Sequence, residues 1–285
     1  MAAVAVLTDS TACIPNDMVA RYGIHVIPMT YVFEDRVYQD QAGAPLGEFY
    51  RTLRQSDRPP ATAPPTPGMF IEAFRAAASE AHAILCVTLP SRLSSLRQSA
   101  CLAADTFRRE RPDVEVRVLD SNAVALAQGF VVLAAARVAE AGKGLEDAVL
   151  AAQAVMSRVR LVAVLDTLHY LAKGGRVSWP TAWAAMLLSV RPVIEVARGE
   201  IRRLGTVRSR AAGVERMLGY IGEHAGQRPI HAGILHGDVP DDAERLRRQV
   251  EARFPCVETL VNEITPVMGM HAGPGVLGIA FYTES

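Results

Sequence analysis

The chain has 285 residues, of which 50% are hydrophobic and 21% charged, a composition that excludes a disordered chain and allows two modest domains or one large one. Its 30 Lys and Arg balance 30 Asp and Glu, so the formal net charge is zero, which argues against a nucleic-acid binder. Cys13, Cys86, Cys101 and Cys256 form no CxxC pair and read as free thiols in a reducing compartment. The first residues, Met1 to Leu7, are uncharged, short and followed by Asp9, unlike a signal peptide. The longest apolar run, Ala123 to Ala136, is broken by Gln128 and falls short of the ~18 residues of a spanning helix. The expectation is a cytoplasmic protein with no transmembrane segment.

In chain order, Ala3 to Leu7 is a buried-strand run followed directly by Thr8-Asp9-Ser10-Thr11. Pro15-Asn16 opens a short helix that Gly23 closes, and Ile24 to Phe33 is a second extended run. The stretch Asp57 to Pro67 is rich in Pro and Ala and reads as irregular. At its end Thr66 is an N-cap and Pro67 suits the first helical position, predicting a helix to Ala81. Ala83 to Leu89 is a strand, Pro90 to Ser95 a loop, and a helix follows to about Arg109. Val114 to Leu119 is another strand, leading through Asp120-Ser121-Asn122 into an Ala-rich helix that ends at Ala141.

This alternation predicts a Rossmann-like α/β/α domain, a parallel sheet covered by helices on both faces. In such folds the ligand crevice lies at the carboxyl ends of the strands. Four loops there carry hydroxyl or carboxyl groups: Asp9-Ser10-Thr11, Thr62 with Thr66, Ser91 with Ser94 and Ser95, and Asp120-Ser121-Asn122. Ordinary helix capping accounts for any one of them; four together predict a polar crevice. Helix N-termini favour an anion. The loops at 8–11, 62–67 and 120–122 contain no Lys or Arg, which suits a single carboxylate better than a phosphate dianion.

The second half changes character. Leu145 to Arg158 is an amphipathic helix and Leu161 to Asp166 a strand. Thr167 to Ser178 reads as a short helix closed at Gly174, with His169 packed inside it. Pro192 to Arg203 is a hairpin turning at Arg198-Gly199. Ile230 to His236 and Val257 to Ile264 are strands, with helices over about 210–224 and 241–253. We therefore expect an α+β domain with a mixed sheet, and a division into residues 1–158 and 159–285. Near the end, Gly269, Gly273 and Gly275 surround Pro274 and put His271 in a rigid turn. The strand Val276 to Tyr282 follows, with Gly278 at a bulge or close contact. A turn histidine satisfied by backbone is the plain reading of His271; a ligand role requires the polar loops to meet it.

No GxGxxG follows a strand, and GxxxxGK[ST], HExxH and GxSxG are all absent, as is any clustered His/Cys spacing. Dinucleotide, P-loop and metal chemistry therefore have no sequence support.

Thr8-Asp-Ser-Thr-Ala-Cys-Ile-Pro15, Val118-Leu-Asp-Ser121, Asp166-Thr-Leu-His-Tyr-Leu-Ala-Lys-Gly-Gly-Arg-Val-Ser178 and Gly269-Met-His-Ala-Gly-Pro-Gly275 resemble the DegV family in order and spacing, across nearly the whole chain. The resemblance implies a two-domain α/β protein that binds one long-chain fatty acid such as palmitate or oleate. It also implies a carrier rather than an enzyme, with no cofactor, that presents the carboxylate to a separate ATP-dependent fatty acid kinase subunit. Carried over onto matching positions, the carboxylate ligands are Thr62, Ser94 and His271. Ser10, Thr11, Ser91, Ser95, Ser121, Gly269 and Gly273 belong to the supporting loops, and Lys173, Arg176, Arg202 and Arg203 to the kinase-docking surface.

Two departures from the family pattern stand out. Ala63 and Pro64 replace polar residues beside Thr62. Ser95 stands where glycine is usual, at a cost of about 1 kcal/mol if that backbone is left-handed. Two other readings stay open: a serine-dependent hydrolase or acyltransferase using Ser94 with His271 as base, and a lipid-sensing regulatory module.

Overall fold

The computed structural model of the chain describes residues 2–41, 46–55, 61–177 and 190–284. Ser178 and positions 57–60 of the proline-rich stretch lie outside the described residues. β1 (Ala2–Asp9) ends in a single 3-10 turn, Ser10–Ala12, and α1 (Asn16–Arg21) returns the chain to β2 (His25–Ile27), parallel to β1. Pro28 cannot donate to a ladder, and the extended run expected over Ile24–Phe33 splits there. β3 (Thr30–Phe33), β4 (Arg36–Gln39) and, after α2 (Gly47–Gln55), β5 (Ala61–Ala63) form a separate antiparallel sheet of order β4-β3-β5. The described part of the proline-rich stretch is thus not irregular throughout: Ala61–Ala63 pair with β3, placing Thr62 opposite Tyr31.

α3 (Pro67–Ala78) starts where the capping signal placed it, the Thr66 hydroxyl accepting the Met69 N–H at 3.4 Å. β6 (Ala81–Thr88), α4 (Leu96–Glu110), β7 (Glu115–Asp120), α5 (Leu126–Glu140) and α6 (Leu145–Met156) complete the first half. The main sheet here is wholly parallel, in the order β2-β1-β6-β7. Strand residues alternate between two cores. Ala5, Leu7, Ile84 and Cys86 face α3 and α4, whereas Val4, Val6, Leu85 and Val87 face α5 and α6.

The second half comprises β8 (Arg160–Val164), α7 (His169–Gly174), β9 (Arg191–Ala197), β10 (Glu200–Val207), α8 (Arg210–Ala225), β11 (Ile230–His236), α9 (Pro240–Arg253), β12 (Cys256–Glu263), α10 (Pro266–Ala272) and β13 (Leu277–Thr283). Its sheet is mixed, of order β10-β9-β8-β13-β11-β12, with only β11 and β12 parallel to each other. Val162, Val164 and Ile279 pack under α8 and α9. The opposite face, with Leu161, Ala163, Val196 and Ala280, shares a core with α5. α5 lies between the two sheets and is buried nearly all round, as its continuous apolar sequence requires.

Two local expectations, on His271 and His169, change, and two alternatives left open, at Gly278 and Ser95, are decided. His271 lies in the last turn of α10 rather than in a non-helical turn; the Thr265-Pro266 start signal outweighs the nearby glycines. His169 begins α7 and is exposed rather than packed. Gly278 sits in continuous register, so it marks close approach and not a bulge: a Cβ there would lie 3.1 Å from the Ala163 Cβ. Ser95 has φ −77°, so serine carries no left-handed penalty at that position. The β9–β10 turn falls at Arg198 and Gly199, with φ +54° and +73°, as a two-residue hairpin favours. The Gly199 N–H donates to the Asn122 carbonyl at 2.6 Å, and Arg92 pairs with Glu200 at 2.5 Å, tying the tip to the first half.

Candidate functional site

The carboxyl ends of the parallel strands open toward the inner face of the mixed sheet, and a cavity of about 120 Å³ lies between them. Its walls are apolar, drawn from both halves: Leu89 and Val124 from one, Ala163, Ile194, Val196 and Leu235 from the other. Polar side chains enter at five positions, Thr11, Thr62, Ser94, Arg176 and His271. The three residues assigned to carboxylate binding thus line one cavity, and two of the supporting or docking residues join them.

The edge strand β5 presents Thr62, whose Oγ1 lies 3.4 Å from Nε2 of His271 on α10. The imidazole is partly buried, and its Nδ1 has no hydrogen-bond partner among the described residues. Gly174, at the end of α7, packs against that nitrogen: a Cβ there would sit 2.4 Å from it. Burial first, and the Arg176 guanidinium second, push the His271 pKa down to about 4, so the ring is neutral at neutral pH. A neutral imidazole still donates one N–H, which a carboxylate can accept.

Ser94 follows β6 and is partly buried; its hydroxyl accepts the Leu96 N–H at 3.2 Å, leaving its own hydrogen for another acceptor. Thr11 is held from behind, its N–H and hydroxyl both donating to the buried Asp9 carboxylate. The other Asp9 oxygen accepts from Leu89 N at 3.0 Å and Gln128 Nε2 at 2.8 Å. Desolvation raises the Asp9 pKa, and these hydrogen bonds pull against it.

The remaining supporting residues lie outside the cavity lining. Ser10 is buried and bonded to Asp40, Ser121 closes a local turn onto the Ala123 carbonyl, and Ser91 and Ser95 are exposed. Gly269 leaves room for the Tyr50 hydroxyl, 2.9 Å from where its Cβ would be. Gly273 has φ +83° and lies so close to Tyr170 that a Cβ would be 2.2 Å from the ring. It ends α10 where no L side chain fits.

The assigned docking cations divide. Arg176 is exposed yet lines the cavity, which puts it at the rim, and its NH1 donates to the Gly174 carbonyl at 2.5 Å. Lys173 is partly exposed on α7. Arg202 and Arg203 are exposed on β10, where Arg202 pairs with Glu200 at 2.5 Å. Sequence reasoning missed Met29, Val267, Met268 and Ala272 as cavity residues. The last three accompany His271 on α10, and the Thr265-Pro266 start of that helix was the available signal.

Comparison with known proteins agrees with this architecture. The profile of the DegV family, described as uncharacterised proteins, matches residues 3–284. A DegV domain-containing protein of Streptomyces coelicolor is 36% identical over 278 residues, 97% of each chain. Among solved structures, a fatty-acid-binding DegV family protein from Thermus thermophilus is 30% identical, with TM-score 0.90 and 100% of both chains covered. DegV from Bacillus subtilis, a fatty acid binding protein, is 28% identical, with TM-score 0.87 and the same full coverage. By sequence and architecture along its whole length, the chain belongs to the DegV family.

Proposed function

We propose that this protein binds a single long-chain fatty acid and presents its carboxylate to a separate ATP-dependent fatty acid kinase. The observation that carries this reading is an apolar cavity whose few polar side chains include the contacting pair Thr62 and His271. The hydroxyls of Thr62 and Ser94 and one imidazole N–H supply donors for a carboxylate, and Arg176 at the rim offsets its charge. Each methylene buried along the walls contributes about 0.8 kcal/mol, so the tail supplies most of the affinity. The fatty-acid binding of the Thermus thermophilus and Bacillus subtilis relatives supports the same ligand class.

The hydrolase reading is not favoured. A serine nucleophile needs an imidazole at its hydroxyl and a third group to orient that ring. Among the described residues no hydrogen bond joins Ser94 to His271, whose Nε2 faces Thr62 and whose Nδ1 has no partner to orient the ring.

Mass spectrometry of a solvent extract of the folded, purified protein tests the proposal. About one fatty acid per chain is expected, and added palmitate raises the melting temperature. No lipid in the extract and no shift with palmitate would sink it. For the partner, acyl phosphate forms only when kinase and ATP are both added; formation by this chain with ATP alone would overturn the carrier assignment.

A further inference from the structure

Asp40 follows β4 directly and is 1% exposed, yet it lies outside the carboxylate-binding set. One of its carboxylate oxygens accepts the Ser10 hydroxyl at 2.6 Å, and the other accepts the Val267 N–H at 2.8 Å. Its own N–H donates to the Met29 carbonyl at 2.7 Å, and the Met29 N–H donates to the Ser10 hydroxyl at 3.0 Å. Three of the segments joined in this way reach the cavity, through Thr11 beside Ser10, through Met29, and through Val267.

The topology gives these bonds their consequence. β4 and β5 flank β3, and Thr30 pairs with both Gln39 and Ala63, so Asp40 and Thr62 stand at the same end of one small sheet. Val267 and His271 stand one helical turn apart on α10. The first turn of that helix leaves N–H groups free, and Thr265 at its N-cap makes no side-chain cap. Asp40 supplies the missing acceptor from a strand 227 positions away, where a negative charge also favours the helix dipole.

We infer that Asp40 is a positioning residue for the head-group site: its bond to Val267 sets the spacing between Thr62 on the small sheet and His271 on α10. The inference rests on the fatty-acid reading of the cavity. Asp40 does not line the cavity; it acts through the helix it caps. Burial raises its pKa, while Ser10 and Val267 pull it down.

The test compares palmitate with hexadecanol, which has the same chain and no carboxylate, in the full-length protein. Asp40→Asn can keep its amide oxygen on Val267 and donate its NH2 to the Ser10 hydroxyl oxygen, so it is the control expected to keep the wild-type ratio, whereas Asp40→Ala removes both acceptors. In Asp40→Ala the palmitate-to-hexadecanol affinity ratio is expected to fall about fivefold to tenfold, the loss of one helix cap. Hexadecanol affinity should change little. A merely structural role weakens both ligands in proportion and leaves the ratio unmoved; that outcome, or an unchanged palmitate affinity, overturns the inference. Should Asp40→Ala fail to fold, Asp40→Leu, of similar size and also without an acceptor for the Val267 N–H, is read in the same way. A wild-type protein with no preference for palmitate over hexadecanol would instead overturn the fatty-acid reading itself.

Discussion

Thr62 Oγ1 lies 3.4 Å from His271 Nε2, although 209 positions separate the two residues. The contact is at the long end of a hydrogen bond, and a carboxylate oxygen placed against both groups would satisfy each better. Thr62→Ala and Ser94→Ala are each expected to weaken palmitate binding by about 1.5–3 kcal/mol, the range for a hydrogen bond to a charged group. Titration calorimetry measures this, and an unchanged affinity in the double mutant would place the carboxylate elsewhere.

The depressed pKa of His271 makes the ligand-free fold sensitive to acid. The ring titrates near 4 in the folded chain but near 6.5 when exposed, so the unfolded state binds the proton more readily between those values. Its contribution to stability is full above about pH 6.5 and is lost as pH falls toward about 4. Denaturant unfolding between about pH 7.5 and 5 should show a larger loss for the wild type than for His271→Gln, which has no ring to protonate. Equal losses in the two proteins would mean that the ring is already hydrated in the fold.

Gly174 has no side chain because the imidazole occupies that space. In Gly174→Ala a methyl group would meet Nδ1 at 2.4 Å, and ring or helix must move. Overpacking of this kind costs about 1–3 kcal/mol of stability. Because the displaced group is the imidazole, palmitate affinity should fall with it, whereas Gly175→Ala, with open space around its Cβ but a φ of +66°, should lower stability through backbone strain and leave palmitate affinity largely unchanged. Thermal melts and palmitate titrations of the two variants separate these effects.

Arg176 lines the cavity, so its reversal would perturb the head-group site as well, and Lys173 and Arg203 are the cations to reverse when kinase docking is tested. Lys173→Glu with Arg203→Glu should leave palmitate affinity unchanged and slow acyl-phosphate formation by the cognate kinase. The slowing should resemble that produced by raising the salt until the Debye length falls below about 8 Å. Unaltered turnover would remove this surface as the docking site.

Strand–loop–helix punctuation made the parallel sheet legible in the sequence, because β1, β6 and β7 each end at a polar loop that precedes a helical element. The small antiparallel sheet was not legible. β5 has three residues with prolines just after it, and its pairing with β3 is a tertiary choice that overrides local composition. Glycine density around His271 suggested a turn, while the helix signal lay one turn upstream at Thr265-Pro266. The residues alone left His271 with a plain structural reading; family resemblance joined it to Thr62 and Ser94. Asp40 carried no signal at all, since its partners are a backbone N–H and a serine in distant segments.

The Gly199–Asn122 bond at the hairpin tip bears on how the cavity can breathe. β9 and β10 contribute Ile194, Val196 and Ile201 to the wall, and β10 is the outermost strand of its sheet. With an unattached tip the hairpin would behave as a cantilever, anchored along β8 and open to bending at its outer end. Fastening the tip turns it into a beam held at both ends, whose span is fixed by the two-residue turn. The width of the cavity is then set by backbone geometry in that turn as much as by the side chains that line it.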